Sequence, residues 1–94
     1  MSVFMVTWNL NREGDRYNEA RRLFIQNLER YDNTKDSGLE SVRWINSGAT
    51  AQQISDDLST KVDGNDHLVI IKMNRGEFYG WLAKETWAWI EARL

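Results

Sequence analysis

Val3-Phe4-Met5-Val6-Thr7-Trp8-Asn9-Leu10 is an apolar, β-branched and aromatic run that stops at Asn11-Arg12-Glu13-Gly14. Side chains of this kind fit a pleated, covered surface. A run apolar at nearly every position, with no alternation, fits a strand covered on both faces. The stretch therefore reads as a buried central strand opening a small α/β domain.

Working outward, Gly14-Asp15 closes the loop after this strand, with Asp15 a candidate N-cap. A helix is expected over about 16–31, because Tyr17, Ala20, Phe24, Leu28 and Tyr31 recur at spacings of three and four and make one apolar face. The stretch 32–38 is polar and reads as either a loop or an edge strand followed by a turn at Ser37-Gly38. Charged, polar edges resist unwanted strand pairing. Residues 39–47 read as a strand with partial alternation, carrying Val42, Trp44 and Ile45.

Thr50-Ala51-Gln52-Gln53 has the spacing of a capping box, in which Thr50 and Gln53 each bond the other's backbone N–H. The second helix is expected from about 51 to 60 or 62, with Ile54, Leu58 and Val62 facing inward. Asp63-Gly64-Asn65-Asp66 is a turn. His67-Leu68-Val69-Ile70-Ile71-Lys72-Met73 reads as a second buried strand, and residues 77–81 as a short extra strand. Over 82–94 the pattern is helical, with Leu82, Ala83, Trp87, Trp89, Ile90 and Leu94 within an arc of about 160°.

The order βαββαβ plus a C-terminal strand or helix predicts an α+β, ferredoxin-like sandwich: an antiparallel sheet with two helices on one face. Right-handed crossovers are expected to set the first and last main strands side by side at the sheet centre.

Composition bounds the rest. Ninety-four residues make a single domain, 1–94. So short a chain buries a modest core, and oligomerisation is a usual supplement where staples are missing. Without cysteine there is neither a disulfide nor a thiolate metal site, and one histidine makes zinc a poor fit. The net charge of −2 argues against a wholesale basic nucleic-acid binder. No apolar run approaches the roughly 20 residues of a membrane span, and no basic segment precedes the first apolar run as in a signal peptide. A cytoplasmic protein is expected. Nucleophile elbows, Walker motifs and dinucleotide fingerprints are absent.

The segment MVTWNLNREGDRYNEARRLF (5–24) resembles the opening of the SinR-type, small CRISPR-associated-endoribonuclease-like family, whose first strand ends in a tyrosine-aspartate-leucine-asparagine motif. TAQQISDDLSTKVDGNDHLVIIKMN (50–74) and GWLAKETWAWI (80–90) resemble its second helix with last central strand and its C-terminal segment; residues 32–40 do not match. The resemblance implies a ferredoxin-like fold and a symmetric homodimer. In nuclease relatives it implies one aspartate per protomer sharing a divalent metal near the dimer axis. Magnesium prefers hard anionic oxygens and lowers the pKa of a bound water. Asn9 stands at the matching position and brings no charge, so the family's metal route lacks its carboxylate here.

Candidate residues follow, each with a plainer role beside it. Asn9 is a degenerate catalytic position or a loop hydrogen-bonder. Asp15 is the nearest carboxylate to substitute for the missing one, or a helix cap. Arg12, Arg16, Arg21 and Arg22 form a phosphate-facing patch, or a solvated face interleaved with Glu13, Asp15 and Glu19. His67 is a general base or a structural residue. Trp81, Trp87, Trp89 and Ile90 anchor a partner or dimer, stack bases, or belong to the core. The expectation is a homodimeric, catalytically degenerate protein that binds nucleic acid or another protein without cofactor or metal. The alternatives are a magnesium-dependent endonuclease acting on RNA or DNA, and a structural assembly module docking through the C-terminal tryptophan helix.

Overall fold

A computed structural model describes residues 1–11 and 14–94. Along the chain run β1 (Ser2–Asn9), α1 (Gly14–Leu28), β2 (Asp32–Thr34), β3 (Val42–Ser47), α2 (Ala51–Leu58), a 3₁₀ turn (Ser59–Lys61), β4 (His67–Lys72) and α3 (Lys84–Arg93). The strands form one sheet in the order β2-β3-β1-β4, with every neighbouring pair antiparallel. This is the α+β, ferredoxin-like arrangement that the element order predicts.

Alternation along β1 explains why its whole length is apolar. Phe4, Val6 and Trp8 pack with Leu10 against Ala20, Phe24 and Leu28 of α1 and Ile54 and Leu58 of α2. The Trp8 and Phe24 rings lie 5.0 Å apart, tilted by 46°, within the favourable range for aromatic pairs. Val3 and Met5 point to the opposite face, where Trp44 and Ile90 complete a second cluster with Leu82, Trp87, Trp89 and Leu94. The sheet is therefore covered by α1 and α2 on one face and by α3 on the other.

Several boundaries depart from the sequence reading. α1 begins at Gly14, so Asp15 lies inside its first turn instead of capping it. β3 begins at Val42 because residues 36–39 form a turn closed by the Leu39 N–H on the Asp36 carbonyl (3.0 Å). α2 stops at Leu58, and the Thr60 hydroxyl takes the Asp57 carbonyl (2.8 Å), a local bond that competes with helix continuation. Residues 77–81 form no strand. They cross the α3 face, where the Phe78 ring stacks on Trp87 at 6.1 Å and 16°.

The larger correction concerns β4. It pairs with β1 as expected, but it is an edge strand, and β3 shares the sheet centre with β1. Its apolar run reads as two-sided burial, yet Val69 and Ile71 remain half exposed because α3 does not extend over them. The capping box is present as expected: the Thr50 hydroxyl accepts the Gln53 N–H (3.1 Å) and the Gln53 side chain accepts the Thr50 N–H (2.9 Å).

Candidate functional site

Asn9 is exposed at the end of β1, and its amide donates to the Asn11 side chain (3.4 Å). The neighbouring carboxylate of Asp66 accepts the backbone N–H groups of Asn11 (2.8 Å) and Asp63 (2.9 Å). This corner is thus a hydrogen-bonded loop junction between the β1 end and the turn before β4. Asp15 is exposed and borders a shallow cleft with Arg16, Glu19 and Asp63 that does not include Asn9. Among the described residues, no group of three or more His, Asp or Glu is arranged to hold a metal ion.

Arg12 lies outside the described residues. Arg16, Arg21 and Arg22 sit on α1, where about 100° per residue sends them to three different sides of the helix. Arg22 is paired with Glu19 (2.8 Å), and the hydrogen bond between them raises the arginine pKa and lowers that of the carboxylate. Arg21 and Arg22 line one shallow cleft and Arg16 another, so the three do not share a single patch.

The four C-terminal residues also separate. Ile90 is fully buried and belongs to the core, not to a partner surface. Trp89 is covered by the Arg93 guanidinium, 4.0 Å from the ring centroid, and Arg93 in turn binds Asp32 of β2 (2.7 Å). Trp87 lies against Phe78. Trp81 alone stands free, 97% exposed, with Tyr79 fully exposed two residues before it.

Those two rings rim an open groove of about 540 Å³, within the usual size range of binding pockets. Met5, Trp44, Ile71, Phe78, Leu82 and Trp87 give it a mainly apolar lining, and Lys72, Asn74 and Glu77 supply its polar border. Trp44 is buried there, and among the described residues its indole N–H has no hydrogen-bond partner. The turn at Gly76 leads into residues 77–82, which form the groove's far wall. The Glu77 N–H closes a turn on the Asn74 carbonyl (3.0 Å), and Gly76 adopts φ +79° within it, sending the chain back over the sheet.

Asp36 fixes the other end of this wall. α3 has Ala83 at its N-cap, which offers no side-chain cap. Asp36 reaches across from the turn after β2 and accepts the Ala83 N–H (2.7 Å), the Thr86 hydroxyl (3.0 Å) and the Gly38 N–H (3.0 Å). The Ala83 bond first, then those of Gly38 and Thr86, hold its carboxyl below the ordinary value. A side chain at position 38 would meet the Asp36 carboxylate at 3.2 Å, so glycine permits that approach.

The groove opens beside β4, whose exposed Val69 and Ile71 extend its apolar surface to the sheet edge. Val69, Ile71, Phe78 and Tyr79 are the site residues that the sequence reading misses. The signal lies in topology: the last strand of a ferredoxin-like order is an edge strand, and here four apolar residues in a row, Leu68 to Ile71, precede its one lysine, Lys72. His67 begins β4 and is exposed.

No family model, curated protein or solved structure matches the chain.

Proposed function

We propose that this protein is a non-catalytic interaction module whose working surface is the free β4 edge with its aromatic groove, and whose ligand is protein. The observation that carries this reading is Trp81 and Tyr79 standing almost wholly in water at the rim of an apolar groove. Two free aromatic rings next to exposed Val69 and Ile71 make a contiguous apolar patch, and such patches mark interaction sites. Tryptophan and tyrosine are also the residue types that most often anchor partners.

A nucleic-acid ligand fits less well. Single-strand binding combines stacking rings with a basic groove, whereas here the α1 arginines belong to the helix layer on the opposite face of the sheet from Trp44 and Trp87 of the groove. Hydrolysis by the metal route fits less well too, because Asn9 contributes a neutral amide where magnesium prefers anionic oxygens.

Two measurements test the reading together. Purified chain incubated with labelled RNA and DNA, with magnesium or manganese, leaves both intact. The apolar fluorophore anilinonaphthalene sulfonate binds the folded chain, and Trp81→Ala weakens that binding while the circular-dichroism spectrum is unchanged. Chelator-sensitive cleavage abolished by Asp15→Ala contradicts the proposal, as does probe binding indifferent to Trp81.

A further inference from the structure

We infer that a cavity between α1 and the turn after β2 binds a small organic phosphate monoester, with Arg43, Arg21 and Lys35 holding the phosphoryl group. The inference goes beyond the interaction-module reading and does not depend on it.

Arg43 supplies the first argument. Alternation along β3 puts it on the face of Ile45, under the helix layer. Its side chain is only 8% exposed. A buried charge is costly unless it is well paired. Here Nη1 donates to the Asn33 side-chain oxygen (2.8 Å) and to the Glu29 carboxylate (3.2 Å). A guanidinium has more donors than these. Nε and Nη2 meet no acceptor among the described residues, yet neither is sealed in the core. The side chain lines a cavity of about 410 Å³, and an acceptor seated there would complete its hydrogen bonding.

Two further cations line the same cavity. Arg21, half-buried, stands one helical turn from Tyr17 on α1, so both project from the same side of the helix. Continuing the β2–β3 register by one pair sets Lys35 opposite Arg43, on the face that Asn33 shares. Like charges directly opposite on one face destabilise a sheet, and an anion between them removes that cost. Neither Arg21 nor Lys35 has an ion-pair partner among the described residues. The neighbouring carboxylates do not supply one. Both oxygens of Asp36 are engaged, by the Ala83 and Gly38 N–H groups and the Thr86 hydroxyl. Glu29 reaches only Nη1 of Arg43. Glu40 lines the cavity but is exposed and bonds none of the three cations.

The donors select the ligand. Arginine binds phosphate through paired, charge-assisted hydrogen bonds. A phosphate monoester brings more terminal oxygens than a carboxylate and about two negative charges at neutral pH, enough to meet three cations at once. The cavity falls in the size range of small-molecule sites and is larger than a bare phosphate ion needs. Tyr17 offers the remaining organic group an aromatic wall.

Isothermal titration calorimetry of the full chain with phenyl phosphate at neutral pH tests this. Saturable one-site binding is expected. Arg21→Gln and Lys35→Gln should each weaken it about tenfold, the loss of one charge-assisted hydrogen bond apiece. Arg43→Lys keeps the charge but loses the planar fork, and should weaken it at least as much with an unchanged circular-dichroism spectrum. Benzoate should bind at least about tenfold more weakly, and an RNA oligonucleotide without a terminal phosphate should not compete. No binding of phenyl phosphate overturns the inference. So does binding indifferent to Arg21→Gln and Lys35→Gln, equal affinity for benzoate, or full competition by the oligonucleotide. Trp81→Ala should leave phenyl phosphate binding unchanged, so the two claims fail separately: Trp81-dependent binding of the apolar fluorophore with no phosphate binding overturns this inference alone.

Discussion

Asp36 decides where α3 begins, since it provides the cap that Ala83 lacks. Its carboxyl is held below its ordinary value of 3.8, chiefly by the Ala83 N–H. A group whose folded pKa is depressed contributes stability that is complete above the unfolded value and is lost as pH falls through the folded one. Thermal melts should therefore be flat in this respect above about pH 5 and fall progressively below about pH 4. Asp36→Asn should melt lower at neutral pH and show a shallower acid dependence. Trp44 gives a second test at this scale. Its indole N–H is buried without a partner among the described residues, so ring volume dominates the cost of its replacement. Trp44→Phe should cost less than about 1.5 kcal/mol by chemical denaturation, while Trp44→Ala should cost about 3–5 kcal/mol. Neither role was legible in the sequence. Asp36 lies in a polar stretch that reads as a loop or as an edge strand followed by a turn, and its partners Ala83 and Thr86 are far along the chain.

At the scale of elements, local signals translated well and tertiary ones did not. The Thr50–Gln53 capping box is complete within four residues and is present as read. Thr50→Ala should cost about 1 kcal/mol in urea denaturation. β4 illustrates the opposite case. An uninterrupted apolar run is the mark of burial on both faces, but whether neighbours cover it depends on strand order and on where α3 ends. Here α3 runs from the Asp36 cap to the β2 edge, where Arg93 meets Asp32, and leaves Val69 and Ile71 uncovered. The α1 arginines show a related effect: close in sequence, they are spread around one helix, with Arg21 and Arg22 on one shallow cleft and Arg16 on another. The turn at Gly76 gives this scale its own prediction. Its φ of +79° lies where a β-carbon is unfavourable, so Gly76→Ala should destabilise by about 1–2 kcal/mol. It should also weaken probe binding in the groove, because residues 77–81 form its wall.

At the scale of the molecule, the sheet is finished at one edge and open at the other. The fold class was legible from the order of apolar periods alone, since βαββαβ leaves few arrangements. The open edge was not, because it belongs to the assembled sheet and to no single segment. That the β4 edge is free for a partner is tested most directly by residue-resolved amide hydrogen exchange on the purified chain. The Met73 N–H donates to the Val3 carbonyl, and antiparallel bonds alternate along a strand. The Val69 and Ile71 amides, turned toward β1, should be protected. Those of Leu68, Ile70 and Lys72, turned outward, should exchange freely. Protection at those three positions would contradict the account.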